Sequence, residues 1–126
     1  MDRMELVKEL RADTKTHYNC CQSVLVPFCD CCGIDQETAR KLGANFGSGM
    51  RCGGACGTLT AALMVLGMAG KGPDAAQAVI NHFRTNRGAV DCPSLLRQSK
   101  EKNIPQKEHC DQLVYEIVAL LESLVE

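Results

Sequence analysis

Cysteine is the residue through which this sequence could do the most chemistry, since nine occur among its 126 residues. A deprotonated cysteine is a nucleophile and a ligand for soft metal ions. The number is odd, no apolar segment typical of a secretory signal opens the sequence, and aliphatic residues are plentiful enough to form a core. We therefore expect reduced cysteines in a cytoplasmic protein, where they would serve redox chemistry or metal binding.

Four of the cysteines stand at or near the predicted starts of four separate helices. One follows Asn19, a typical N-cap residue; one follows a glycine-rich stretch; one directly precedes Pro93; and one comes early in the last helix. Unpaired backbone N–H groups and the helix dipole favour negative charge there and lower the pKa of a thiol. With nine cysteines, some could also fall near helix starts by chance. The candidate cofactor-binding and metal-binding residues are Cys20, Cys56, Cys92 and Cys110.

The remaining five cysteines, Cys21, Cys29, Cys31, Cys32 and Cys52, are weaker candidates. Cys29 and Cys32 have the C-x-x-C spacing of a dithiol pair. They end a predicted helix, where the dipole disfavours a thiolate, and no strand precedes them as that motif would require. Cys21 points about 100° away from its neighbour around a helix, so burial in the core is the simpler interpretation.

Two residues beside the candidate cysteines have open roles. Cys52 lies four residues before Cys56, but the glycines between them place it ahead of the helix. It could be an additional ligand, a resolving thiol or an inert residue. His109 precedes Cys110 and could bind a metal or a sulfur, although a solvent-exposed helix histidine is the simpler interpretation.

The elements that must position these residues are all helical in pattern. Apolar residues recur at helical spacing, and strand alternation is nowhere sustained. Pro27 predicts a kink or break in the second helix, and Gly33 is placed to end it. The sequence therefore predicts a compact, all-α, single domain over residues 1–126 with six or seven helices. The predicted helices cover residues 4–17, 20–32, 35–46, 54–68, 73–88, 91–98 and 106–126.

Composition excludes several classes of function. The uncharged run at residues 52–70 contains five glycines, and its strongly apolar part, 59–68, is too short to span a membrane. We expect a buried central helix and a protein that is not embedded in a membrane. Lys and Arg number 14 against 15 Asp and Glu, and aromatic residues are few, so nucleic-acid partners are not expected. No Ser–His–Asp set or phosphate-binding loop occurs, so no enzymatic activity on a substrate is assigned.

The sequence blocks around the four helix-start cysteines resemble the C_GCAxxG_C_C family of redox-active proteins. "YNCCQSVL" is similar to the first block of the family, "GGACGTLTAALMVLG" to its central C-G-A-x-x-G motif, and "VDCPSLL" and "HCDQLV" to the third and fourth. The resemblance covers about residues 18 to 120 and makes these four cysteines the signature set. Thr58 and Ala61 depart from the alanine and the second glycine of the central motif.

The resemblance implies a small helical redox protein. Related domains occur joined to haem-binding segments in cytochromes with an iron–sulfur centre, which favours a 2Fe–2S cluster on the four cysteines and single-electron transfer. One alternative is a metal-free thiol/disulfide protein in which a thiolate such as Cys56 attacks and another cysteine resolves. Others are a Zn or Cu(I) module and a helical binding protein with inert cysteines. The sequence does not identify the redox partner, and an exposed cluster edge with apolar helix faces would suit a homodimer.

Overall fold

A computed structural model describes residues 2–125 of the chain. In these residues the backbone forms seven α-helices and one 3-10 turn, with one isolated antiparallel bridge between Ala55 and Asp91. This confirms the all-α prediction and its helix number; residue 126, predicted to end the last helix, lies outside the described residues. The helices are α1 Arg3–Ala12, α2 Cys20–Leu25, α3 Gln36–Gly43, α4 Gly57–Met68, α5 Pro73–Arg87, α6 Cys92–Glu101 and α7 Gln106–Val125; the 3-10 turn is Val26–Phe28.

The helix α2 begins where the sequence predicts because Asn19 caps it. The Gln22 N–H donates to Asn19 Oδ1 at 2.8 Å, and the Asn19 N–H donates to the Gln22 side chain at 2.9 Å. The helix is shorter than predicted. It gives way to the 3-10 turn around Pro27, which has no N–H to continue the helical bonds. Gly33, with φ of +68°, ends the turns that follow.

The helix α1 also ends earlier than predicted, at Ala12. The Asp13 side chain accepts hydrogen bonds from the Lys15 and Thr16 N–H groups, at 2.8 and 2.9 Å. A short acidic side chain that binds the backbone in this way competes with helical hydrogen bonds and favours a turn. The turn directs the chain from α1 back to the start of α2, and α1 itself lies against α2, the 3-10 turn and α7.

The uncharged helix α4 forms the centre of the fold, in contact with α2, α5 and α7. It approaches α2 closely at Gly57, where a Cβ would lie 2.6 Å from the Phe46 carbonyl oxygen and 3.2 Å from the Cys21 nitrogen. Glycine therefore brings the first turns of the two helices together. None of the helices within residues 2–125 combines the length and the apolar composition needed to cross a bilayer.

Candidate thiol site

The four helix-start cysteines meet at one internal cavity of about 20 Å³. The first opens α2, the second directly precedes α4, the third opens α6, and the fourth lies in the second turn of α7. Three helix N-terminal ends and the second turn of a fourth helix therefore converge on a space that is large enough for about one water molecule. We call this space the four-cysteine cavity; its thiols are those of Cys20, Cys56, Cys92 and Cys110.

A pair of backbone hydrogen bonds holds two of these cysteines side by side. The Cys56 N–H donates to the Val90 carbonyl at 2.8 Å, and the Cys92 N–H donates to the Gly54 carbonyl at 2.9 Å. This is the isolated bridge of the structure. It joins two irregular segments far apart in sequence, and nothing in the composition of either segment indicates the pairing.

A tightly folded loop closes one side of the cavity. Gly49 has φ of +64°, and a Cβ there would lie 2.3 Å from the Gly54 carbonyl oxygen. Three non-glycine residues of this loop, Ser48, Met50 and Arg51, also have positive φ angles. Such angles cost about 1–3 kcal/mol each and persist only where the surrounding structure holds them. Ser48 and Gly49 contribute to the lining of the cavity.

Cys20 is the thiolate of the site. Hydrogen bonding with the Cys110 thiol and the charge of the Arg11 guanidinium lower the pKa of Cys20 to about 6, against the opposing effect of burial. Arg11 is itself fixed, since its Nε donates to Asp111 Oδ1 at 2.6 Å and its Nη1 donates to the Tyr18 carbonyl at 3.0 Å. These hydrogen bonds hold the Arg11 guanidinium in place near the Cys20 thiol.

The other three thiols of the cavity are neutral. The pKa of Cys110 is raised by its hydrogen bond with Cys20, by burial and by the negative charge of Cys20. Burial, followed by the charge of Cys20, raises the pKa of Cys56 and of Cys92. The expectation that all four helix starts favour thiolates is therefore wrong for three of them. Burial in a small space disfavours a thiolate more strongly than a helix end favours it, and the Cys20 charge adds to this effect at Cys56 and Cys92.

An open groove of about 480 Å³ gives access to the site from the surface. Cys20, Cys92 and Cys110 line both the groove and the cavity, whereas Cys56 lines the cavity alone. Cys56 is 5% exposed. A reagent that enters the groove therefore meets the Cys20 thiolate, and the cysteine that the sequence favours as the attacking thiol lies behind it.

The thiols, as they are arranged, do not fit a metal cluster. In residues 2–125 no group of three Cys, His, Asp or Glu side chains is placed so that it could hold a metal ion. The cavity has room for about one water molecule, which is smaller than two iron atoms with two bridging sulfides. Binding of a cluster would require the four cysteines to move apart.

The residues near the candidate cysteines whose roles the sequence left undecided differ in burial and in position. Cys21 is buried, as the sequence predicts, and burial raises its pKa to about 12. Cys52 is exposed on the loop beside the cavity. His109 is buried and lines the cavity, which corrects the expectation of a solvent-exposed histidine. Burial, Arg87 and Lys102 lower the pKa of His109, so the ring is neutral at pH 7.

The fold and the site define an all-α, cysteine-rich protein whose thiol chemistry is concentrated at one cavity. The chain belongs to the family described as "Putative redox-active protein (C_GCAxxG_C_C)", whose sequence profile matches residues 18–124. The match confirms the resemblance seen in the sequence, and all four cavity cysteines lie within it. Searches of curated proteins and of solved structures gave no significant match.

Proposed function

We propose that this protein is a thiol–disulfide redox protein in which Cys20 and Cys110 form a reversible disulfide. The observation that carries the proposal is the placement of Cys20 and Cys110 on one small cavity, beside an arginine that Asp111 holds in place. The lowered pKa of Cys20 and the raised pKa of Cys110 agree with this arrangement. A low-pKa nucleophile next to a protonated second thiol is the arrangement that thiol–disulfide exchange requires. Family membership supports a redox role of this kind.

The reaction divides into two steps that balance. The Cys20 thiolate attacks one sulfur of a partner disulfide, that S–S bond breaks, and the other partner sulfur leaves as a thiolate. Cys110 then loses its proton to solvent and attacks the Cys20 sulfur, which forms the Cys20–Cys110 disulfide and releases the second partner thiol. Two electrons pass from the protein to the partner, and the reverse sequence reduces the protein.

The electrostatics of the site set the order of these steps. The pKa of Cys110 is raised by its hydrogen bond with Cys20, then by burial, and then by the Cys20 charge. The first and the third of these causes disappear when Cys20 becomes part of a mixed disulfide, because the sulfur is then neutral. Burial remains, and so does the charge of Arg11, which favours a Cys110 thiolate. Cys110 therefore loses its proton more easily after the first step than before it.

Redox titration with trapping tests this function. The protein is equilibrated anaerobically with reduced and oxidised glutathione at stepped ratios, free thiols are blocked with N-ethylmaleimide, and disulfides are located by peptide mass spectrometry. We expect one reversible two-electron couple, assigned to Cys20–Cys110. Cys110→Ser should trap a mixed disulfide on Cys20, Cys20→Ser should abolish the couple, and Cys52→Ser, at an exposed site, should leave it unchanged. A different disulfide, or no reversible couple, would overturn the proposal.

A second candidate is the 2Fe–2S cluster bound by all four cavity cysteines, or a Zn or Cu(I) ion held by the same set. The convergence of four thiols and three helix N-terminal ends on one cavity favours it, since helix ends would offset the negative charge of such a centre. Because the thiols do not fit a cluster as they are arranged, this candidate also requires the site to open.

Metal and sulfide analysis distinguishes the two candidates. Protein produced and purified anaerobically, with active cluster assembly, is analysed for iron, sulfide, zinc and copper and by electron paramagnetic resonance. Cluster binding predicts stoichiometric iron and its loss in each serine variant of the four cysteines. The dithiol function predicts that Cys56→Ser and Cys92→Ser retain the reversible couple. Metal-free protein with an intact couple would reject the cluster.

A further inference from the structure

A buried histidine lies in the wall of the four-cysteine cavity and has no part in the proposed function. His109, in the first turn of α7, is only 5% exposed, and its Nε2 has no hydrogen-bond partner within residues 2–125. The ring lines the same cavity as the four thiols. A buried polar atom without a partner costs free energy, and native proteins usually provide it with water or a ligand. The unpaired nitrogen therefore indicates that the cavity binds a small polar molecule.

A second unpaired polar group lies near the same thiols. The Thr58 hydroxyl, in the first turn of α4, is fully buried and also has no hydrogen-bond partner in the described part of the chain. It lies close to the sulfurs of Cys20 and Cys56. The surroundings of the Cys20 sulfur thus contain more hydrogen-bonding capacity than the protein itself uses.

The size of the cavity limits what the bound molecule can be. One water molecule needs about 10–15 Å³. The cavity of about 20 Å³ therefore has room for one water or for two bonded oxygen atoms, and none for a carbon chain. A second anion would be repelled by the Cys20 thiolate in this buried space. Hydrogen peroxide is small, neutral and polar, and it also reacts with a thiolate.

We propose that the four-cysteine cavity binds hydrogen peroxide, hydrogen-bonded to the His109 ring, and that Cys20 reduces it. This inference rests on the proposed function, because it uses the same pair of Cys20 and Cys110, and it adds the class of oxidant. Cys20 lines both the groove and the cavity. Disulfides, which are too large for the cavity, reach its sulfur from the groove, whereas peroxide reaches it from the cavity.

The reaction divides into two steps that balance. The Cys20 thiolate attacks one oxygen of the peroxide, the O–O bond breaks, and the other oxygen leaves as hydroxide, which takes a proton from solvent. Cys20 is then a sulfenic acid. The Cys110 sulfur attacks the Cys20 sulfur, the S–O bond breaks, and the oxygen leaves as water with the Cys110 proton. The two thiols lose two electrons, and the peroxide is reduced to two water molecules.

The experiment compares two peroxides of different size. The reduced protein is reacted at pH 7 with hydrogen peroxide or with tert-butyl hydroperoxide and is quenched at short times with N-ethylmaleimide. Oxidation at each cysteine is read by tandem mass spectrometry, and Cys110→Ser with dimedone traps the sulfenic acid on Cys20. Cys52, which is exposed and does not line the cavity, is the internal reference thiol. The ratio of its two rates gives the intrinsic difference between the reagents.

We expect Cys20 to react with hydrogen peroxide at least about tenfold faster than Cys52 does. Its preference for the smaller peroxide should exceed the preference of Cys52 about tenfold, because only hydrogen peroxide fits the cavity. Equal preferences at the two cysteines would overturn the proposal.

Variants of the cavity wall test the role of His109. His109→Leu should slow the reaction of Cys20 with hydrogen peroxide about fivefold and leave its reaction with tert-butyl hydroperoxide unchanged, so the preference falls. His109→Gln, which can still form a hydrogen bond, should retain part of the rate. Leu113→Met changes an apolar residue of the same wall and helix and should preserve both rates. An unchanged peroxide rate in His109→Leu would contradict binding at the ring.

The glutathione titration separates this inference from the function on which it rests. A reversible Cys20–Cys110 couple together with equal peroxide preferences at Cys20 and Cys52 would overturn the peroxide site alone. Absence of the couple would overturn the proposed function, whatever the peroxide rates. His109→Leu should retain the couple with glutathione, since the disulfide reaches Cys20 from the groove and His109 does not line it.

Discussion

The helix α1 carries an arginine at each end, and the two arginines serve two different thiol environments. Arg11 is 8% exposed, and its donors are taken by the carboxylate of Asp111 and by the backbone, so it acts on Cys20 across space. Arg3 is 25% exposed and donates directly to Cys31. Arg11 is therefore a buried positive charge close to the cavity, and Arg3 makes a surface contact that solvent can reach.

The two groups of thiols differ in what surrounds them. Burial is the first cause of the raised pKa of Cys56 and Cys92 in the cavity, and also of Cys29 and Cys32 in residues 29–32, which we call the cysteine turn. The cavity, however, is lined by residues of α2, α4, α6 and α7, whereas the cysteine turn is one short segment of the chain. Chemistry at the cavity should therefore depend on the packing of the whole core, and chemistry at the turn on local groups.

Close packing at the cavity gives the largest expected difference. Gly57→Ala places a methyl group 2.6 Å from the Phe46 carbonyl oxygen and should lower the free energy of unfolding by about 3 kcal/mol. Gly33→Ala, at the end of the cysteine turn, meets no atom within 4 Å. Gly33→Ala should lower the free energy of unfolding by only about 1 kcal/mol, because residue 33 has a left-handed backbone conformation that alanine disfavours.

Urea denaturation of both glycine variants under reducing conditions measures these two free energies. The Gly57→Ala protein should also lose the Cys20–Cys110 couple at urea concentrations where the Gly33→Ala protein retains it. Equal losses of stability in the two variants would show that the approach of α4 to α2 is no tighter than the turn.

The pH dependence of Cys20 is the next largest difference. With a pKa of about 6, most Cys20 is thiolate at pH 7, and this fraction is lost as the pH falls through 6. Its alkylation by iodoacetamide should fall about tenfold between pH 7 and pH 5, whereas an unperturbed cysteine in a peptide should fall about a hundredfold. Mass spectrometry of the Cys20 peptide, with Cys20→Ser as the blank, measures the profile. A hundredfold fall at Cys20 would contradict a stabilised thiolate.

Local signals in the sequence predicted the parts of this molecule that local chemistry determines. Asn19 capped α2 and Pro27 broke it as expected, because each acts on backbone groups within a few residues. No spacing rule predicted that the four helix-start cysteines lie together. That prediction rested on the family resemblance. In the structure, the close approach of α2 and α4 at Gly57 and the backbone bridge between Ala55 and Asp91 bring these cysteines together.

The residues that the sequence did not single out act over long separations. Arg11 pairs with Asp111 at the other end of the chain, and Arg3 reaches Cys31 from the start of α1. Neither pairing leaves a periodic pattern, since a charged residue on an exposed helix looks the same with or without a distant partner. His109 was misread because its place on the buried side of α7 depends on helix packing that single-residue polarity does not reveal.

Exchanging the two arginines for glutamine gives the smallest expected effect. Arg11→Gln removes the nearby cation and should raise the pH midpoint of Cys20 alkylation by about one unit, which lowers its rate at pH 6 several-fold. Arg3→Gln is the matched control, on the same helix, and should leave that midpoint unchanged. A midpoint moved equally by both variants would mean that α1 transmits changes between its ends. In that case a change beside the cysteine turn would alter the thiolate of the four-cysteine cavity, and the two thiol regions would act as one system.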